Sequence, residues 1–251
     1  MSKPITTLPD RVTVLIIGAG PGGLCAGIKL AQAGITDFVI LEKASGVGGT
    51  WWHNRYPGAE CDVQSHLYSF SFAPKVDWSR PYAGQAEIRA YVEQVADKYG
   101  MLPYCRFNQA VTALRWVDKD GHWDVQTADG HRLTARFVIS GIGMFNEITQ
   151  PDIPGLDDFA GTLFHTARWQ DNHDLAGERV ALLREIEVEA RDGGGRRALP
   201  GALADRGHRE VKAEGLLEEA LNAIPHPREV AIDVAGDGGG RALGDGHTGL
   251  R

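Results

Sequence analysis

Apolar positions follow three different rhythms along the first two thirds of the chain. An almost continuous run, Val12, Val14, Leu15, Ile16 and Ile17, predicts a buried parallel strand, and Phe38 to Leu41 predicts a second one. A helical stretch lies between them. From Gln85 to Gly100 the period becomes helical and places Ile88, Tyr91, Val92, Val95 and Tyr99 on one face, with Gly100 closing the helix. Beyond it, Ala110 to Trp116, Trp123 to Thr127 and His131 to Thr134 alternate apolar and polar residues. Their joining segments, VDKDGH and ADGH, carry Asp-Gly turn signals, so these three read as a small antiparallel meander. Arg136 to Gly143 then predicts a return to a buried parallel strand that ends in glycines, a form suited to backbone approaching a ligand. The expected class is α/β: a parallel sheet with helices plus a small β-meander.

The chemistry begins where the first strand gives way to the helix. Gly18, Gly20 and Gly23 form GxGxxG at that point. Gly18 permits a tight turn, Gly20 leaves room for a pyrophosphate against the backbone, and Gly23 lets helix and strand pack closely. The second strand ends in Glu42, 19 residues beyond Gly23, where a carboxylate can accept ribose hydroxyls. Three glycines alone would describe any turn between a strand and a helix. Strand, glycines, helix, strand and terminal acid in register predict a dinucleotide site. An acid there favours a free 2'-hydroxyl, as in FAD or NAD, and disfavours NADP.

Composition narrows the partners. A chain of 251 residues with 43% apolar content can bury a core as one large domain or two small ones. The net charge of -7 and the absence of a basic block argue against a nucleic-acid or anionic-membrane partner. MSKPITTLPDR has no apolar core of signal-peptide length, and the longest apolar runs are about six residues against the roughly twenty that a span needs. A cytoplasmic location is expected. Cys25, Cys61 and Cys105 contain no CxxC, which argues against a disulfide framework, a metal site of zinc type or a redox-active disulfide.

Two stretches stand out. Ser45 to Pro74 is a long loop rich in Gly, aromatic and polar residues, and such loops are commonly functional. Pro151, Pro154 and Gly155 mark a linker, and near Val180 to Leu182 the composition changes abruptly. Every Trp, Tyr and Phe lies at or before Trp169, whereas 13 of the 32 glycines fall in residues 182–251. Such a segment has difficulty offsetting its chain entropy by burial. Its 10 basic and 13 acidic residues, with no aromatic to stack on a base, argue against an Arg-Gly nucleic-acid segment. Two readings stay open: a polar extension with a helix at Leu216 to Ala223 and a strand at Glu229 to Val234, or a sequence that has left its frame near Ala181.

From about Val12 to Val180 the chain resembles the Baeyer-Villiger monooxygenases and the related flavin-containing monooxygenases. Besides the glycine fingerprint, GVGGTWWHNRYPGAECDVQSHLYSFSF (Gly46 to Phe72) is similar to the family's GGTW, NRYPG, acid and YSF segments in order. FAGTLFHTARW is similar to its FxGxxxHTxxW pattern at Phe159, Gly161, His165, Thr166 and Trp169, with Gln170 where a proline or aspartate is common.

The resemblance implies a Rossmann-like FAD-binding domain. Gly18, Gly20, Pro21, Gly22 and Gly23 would hold the pyrophosphate, Glu42 the ribose, and Lys43 would lie near the adenosine. Gly49, Thr50 and Trp51 would run along the phosphates and flavin, with Trp51 as an aromatic wall. Asp62 and Tyr68 would lie near the isoalloxazine, Asp62 as the one candidate for a part in the chemistry, and Val111 would touch the adenine. The implied reaction inserts one atom of dioxygen beside the carbonyl of a small ketone, with NADPH as reductant.

The family's second nucleotide motif is not read after GERV (Gly177 to Val180). Its nearest lookalike, REVAIDVAGDGGGRALGDG, has Arg241 where a final Gly or Ala is needed. The organisation expected is an incomplete FAD-binding domain over 1–168, a linker over 169–181 and an irregular tail over 182–251. The chain then reads as truncated, without the NADPH site and catalytic arginine, and with apolar sheet surface left bare. Alternatives are a non-catalytic FAD-binding remnant and an amine- or sulfide-oxygenating flavoenzyme, against which the HTxxW segment argues. A disulfide reductase is excluded by the missing CxxC.

Overall fold

The first apolar run lies at the centre of a sheet, which is why both of its faces need apolar side chains. In the computed structural model, which describes residues 7–145, 148, 155–184 and 229–234, this strand is β1 (Arg11–Ile17). Helix α1 (Pro21–Gln32) follows, with Pro21 in its first turn, and leads to β2 (Phe38–Leu41). The second rhythm forms α3 (Gln85–Lys98), preceded by a one-turn helix α2 (Thr50–His53). Strands β3 (Cys105–Arg106), β4 (Val111–Val117), β5 (His122–Thr127) and β6 (Arg132–Ser140) complete a six-stranded sheet in the order β3-β2-β1-β6-β5-β4. Pairing is parallel among β3, β2, β1 and β6 and antiparallel along β6, β5 and β4.

Two cores lie on the two sides of β1 and β2. Val14, Ile16, Phe38 and Ile40 pack with Leu24 and Ile28 of α1 and with Tyr91, Val92 and Val95 of α3. Leu15, Val39 and Leu41 pack with Val125, Leu133 and Ala135, so the antiparallel ribbon covers the second side. Leu15 and Ile16 are fully buried, and each such side chain stabilises the fold by roughly 1.5–3 kcal/mol. The helical stripe expected on Gln85 to Gly100 is realised: Ile88, Tyr91, Val92 and Val95 are buried, and Gly100 adopts φ +65° just past the helix end.

Three expectations change. The long loop of Ser45 to Pro74 contains the helical turn α2. The last meander strand and the returning parallel strand, expected as separate elements, are one strand of nine residues. β6 pairs with β5 through Arg132–Ala135 and with β1 through Thr134–Ser140. Its alternating half lies beside a half-exposed antiparallel partner and its apolar half beside a buried parallel one, so the pattern changes while the strand does not. Third, β3 was not anticipated, because two residues are too few to show a period.

Bare apolar surface is present where the parallel strand ends. Phe137 is 53% exposed, Ile142 55% and Met144 80%, while β2 is buried throughout and β1 at Val12 and from Val14 to Ile16.

Among the described residues the chain divides into two compact units. The first holds 7–145, 148 and 165–170, and the second 155–164, 171–184 and 229–234. β7 (Thr162–His165), of which Thr162 to Phe164 belong to the second unit, forms a sheet with β8 (Arg179–Arg184) and β9 (Glu229–Val234) in the order β7-β9-β8, with β8 and β9 parallel. The strand expected at Glu229 to Val234 is therefore formed. The expected helix at Leu216 to Ala223, Pro151 and Pro154 of the linker, and the glycine run from Gly236 onward lie outside the described residues. Among those described, no helix is long and apolar enough to cross a membrane.

Candidate functional site

The glycine turn after β1 forms one wall of an open groove of about 360 Å³ in the first unit, within the roughly 300–1,000 Å³ range of ligand pockets. Backbone packing shapes it. The Gly18 amide donates to the Leu41 carbonyl (2.8 Å) and the Gly141 amide to the Ile17 carbonyl (2.8 Å), so the ends of β1, β2 and β6 converge there. Gly18 has φ +96°, and a Cβ on Gly23 would lie 1.8 Å from the Gly18 carbonyl oxygen. α1 consequently starts against the strand end, with Gly20, Pro21 and Gly22 lining the groove at the helix start, where a helix leaves N–H groups without internal acceptors. Across the groove, Gly49 at φ +58° meets Gly20: a Cβ on Gly49 would lie 2.8 Å from the Gly20 Cα. The Gly48 amide donates to the Ala19 carbonyl (3.0 Å) and locks the two glycine loops together.

Glu42 is buried and does more than end a strand. Its Oε2 accepts from the Ala19 amide (2.6 Å) and its Oε1 from the Ala44 amide (2.7 Å). Its own amide donates to the Arg106 carbonyl, and its carbonyl accepts from the Gln109 amide. An ionised carboxylate offers about four acceptor sites, so each oxygen keeps capacity for a ribose hydroxyl. The same side chain thus braces the turn and faces the groove.

Of the residues expected at the site, Gly18, Gly20, Pro21, Gly22, Glu42, Lys43, Gly49, Thr50 and Val111 line this groove. Gly23 lies behind the wall as a packing contact. Trp51, Asp62 and Tyr68 are not among its lining residues. α2 explains the separation, because residues three apart share a helix face and adjacent ones do not. Thr50 and His53 both line the groove, while Trp51 turns inward to a cluster with Cys61, Ala83 and Ile88. There the Trp51 Nε1–H donates to the Tyr68 hydroxyl (2.9 Å), with the rings edge to face, and the Gln85 side-chain amide donates to the Trp51 carbonyl. Burial pushes the Tyr68 phenol pKa up, the Trp51 hydrogen bond draws it down, and Cys61 and Asp62 push it up again. Trp51, Asp62 and Tyr68 are therefore a second grouping. Its aromatic wall faces the protein interior, and Asp62 is exposed.

His53, Gln109 and Ala110 line the groove without having been anticipated, as do Gly141 and Gly143 at the glycine end already noted after β6. The spacing of His53 from Thr50 was the available signal, legible only once a helical turn is recognised. Burial is the main cause that lowers the His53 pKa, followed by the positive charges of Lys43 and Arg168, with Glu42 acting in the opposite direction and Arg55 adding a little more lowering.

The FxGxxxHTxxW segment is divided between the units. Phe159 and Gly161 belong to the second and His165, Thr166 and Trp169 to the first. His165 and Thr166 are buried, and the His165 Nδ1 accepts from the Ala167 amide (3.0 Å), capping the turn Thr166–Arg168. That bond assigns the Nε2–H tautomer to the neutral ring.

Comparison with known proteins fits this geometry. Residues 15–183 match the family model described as pyridine nucleotide-disulphide oxidoreductase. A Baeyer-Villiger monooxygenase of Streptomyces coelicolor is 51% identical over 174 residues, covering 69% of this chain and 33% of that protein. The chain belongs to this oxidoreductase family, in its Baeyer-Villiger monooxygenase branch. Another member of the branch, from Pseudomonas aeruginosa, is 42% identical over 72% of this chain and 34% of its own length. Among solved structures, a cyclohexanone monooxygenase variant from Rhodococcus sp. Phi1 bound to NADP+ is similar with a TM-score of 0.66 at 39% identity, covering 71% of this chain and 35% of that one. OTEMO in complex with FAD and NADP matches at 34% identity with a TM-score of 0.65, over 73% of this chain and 35% of its own. The chain thus spans about a third of the length of the relatives it matches. The disulphide in the family's description has no counterpart among the cysteines here: Cys25, Cys61 and Cys105 are free thiols.

Proposed function

We propose that the first unit is the FAD-binding part of a flavin-dependent monooxygenase of Baeyer-Villiger type. The observation that carries the reading is the groove, where two glycine loops, packed so that a Cβ on Gly49 would lie 2.8 Å from Gly20, meet a helix start and a braced carboxylate. That combination fits a dinucleotide: bare backbone admits the pyrophosphate, the helix start favours its charge, and Glu42 has acceptor capacity for ribose. In this reading Gly18, Gly20, Pro21, Gly22 and Gly23 present backbone to the phosphates. Lys43 and Val111 border the adenosine, and Gly49 and Thr50 continue along the phosphates towards the flavin. Trp51, Tyr68 and Asp62 hold the flavin end from behind α2.

Bound FAD supplies two-electron reduction and dioxygen chemistry. The chain's own residues bind and orient it. The substrates of the whole protein are a small ketone or related carbonyl compound and dioxygen, with NADPH as the reductant. No NADPH site is placed in this chain: after GERV the nearest lookalike of the family's second glycine motif has Arg241 where a final Gly or Ala is needed.

Purified chain mixed with FAD should keep a yellow flavin band through gel filtration and quench flavin fluorescence to saturation. Absence of both overturns the reading. Added NADPH should leave that band unbleached, and bleaching would mean that this chain does hold a nicotinamide site.

A further inference from the structure

His53 shares the groove with the fingerprint glycines and comes from a helix face that also carries Thr50. The charges around it are uneven. Lys43 follows β2, Arg55 follows α2, and Arg168 lies in the turn Thr166–Arg168. All three oppose a positive charge on the ring, and only Glu42 favours one. Glu42 already accepts two backbone N–H groups, so part of its charge is neutralised locally. Burial first, and then this excess of positive charge, lowers the ring's pKa, which favours the neutral imidazole in the ligand-free protein.

A dinucleotide diphosphate reverses this balance. It brings two negative charges into a groove lined by Lys43 and Glu42 beside His53, with Arg168 and Arg55 acting on the ring from outside the lining. We infer that His53 takes up a proton when the diphosphate of the dinucleotide enters the groove, so that a neutral ring in the free protein becomes a cationic contact in the complex. The inference rests on the FAD reading above and adds a residue and a proton to it.

Linkage fixes the sign. If the ring's pKa is higher in the complex than in the free protein, binding absorbs protons and tightens as pH falls through that interval. A rise of one unit on binding makes the acid-limit affinity about tenfold tighter.

The test is FAD binding to the full chain, followed by flavin fluorescence from about pH 8 to about pH 5.5, the range in which histidine titrates. Calorimetry in two buffers of different ionisation enthalpy counts the protons. The wild-type chain should bind several-fold more tightly at the acid end and take up a fraction of a proton. His53→Gln should bind FAD with a flat profile and no uptake attributable to the ring, and its melting curve at pH 8 reports whether it folds. As a second variant, Arg168→Gln leaves the ring in place and should shift the wild-type profile towards higher pH. FAD binding without proton uptake, or with the same profile in His53→Gln, overturns the inference and leaves the FAD reading standing. No saturable FAD binding by the wild-type chain at any pH overturns both.

Discussion

Two faces of the single helical turn α2 meet opposite surroundings. Thr50 and His53 border an open groove walled by glycine backbone, whereas Trp51 points into an apolar cluster with Cys61, Ala83 and Ile88. Both faces come from the stretch that most resembles the monooxygenases. A shared motif therefore carries two jobs. The groove face must stay bare so that backbone can approach a ligand, and the inner face must be filled so that the turn holds its position. Trp51 meets the second demand through the Tyr68 hydroxyl and the Gln85 amide. Gly49, one residue before the helix, meets the first by fitting against Gly20.

That contrast can be broken from either side. The largest effect is expected on the inner face. Ile88 is fully buried beneath Trp51, and Ile88→Ala should cost about 3 kcal/mol in urea denaturation. A loss below about 1 kcal/mol, less than core deletions give, would mean that the cluster is not a core. Glu42→Gln comes next, since Gln must turn an NH₂ towards one of the two amides that the carboxylate now accepts. About 2 kcal/mol of stability should go, together with FAD affinity, whereas an Ile88 loss should register first in stability.

Gly49→Ala attacks the groove face itself. Its φ of +58° and the 2.8 Å approach to Gly20 should cost about 1–2 kcal/mol, with a disproportionate fall in FAD binding measured by fluorescence. Trp51→Phe keeps an aromatic ring but removes the N–H donor, for about 1 kcal/mol, together with some packing volume in the cluster. It should also move the Tyr68 phenol further above its ordinary pKa, read by ultraviolet titration, because the Trp51 hydrogen bond now holds it down.

The smallest effect concerns pH. His53 has a lowered pKa in the folded protein, so the unfolded chain binds the extra proton first as pH falls. Stability is fully present above the ordinary histidine value of about 6.5 and declines on acidification through the folded value. His53→Gln should remove that part of the acid sensitivity in melting curves of the ligand-free protein.

Much of the first unit was legible because its signals are local. β1, α1, β2 and α3 each show a complete period, and the Asp-Gly pairs at the meander turns coincide with Gly121 and Gly130 at positive φ. The groove's glycine wall and Glu42 were legible for the same reason, since motif and spacing are properties of neighbouring residues. The reading failed where an element was shorter than its period. α2 is one turn and β3 is two residues, so the inward turn of Trp51 and the groove position of His53 had no pattern to announce them. β6 failed in the opposite way, as a single strand whose two partners impose two patterns.

By itself the sequence determined that a strand, a glycine turn, a helix and an acid would stand together, because bare backbone at a helix start follows from residue type and order. Only the tertiary structure decided that Glu42 braces the turn through Ala19, that Gly49 closes on Gly20, and that α2 gives one side to the groove and the other to the core. Those outcomes depend on groups far apart in the chain, such as Trp51 with Tyr68 and Gln85 or His53 with Arg168. Burial and charge at a position are set by what folds against it, and no local period encodes that.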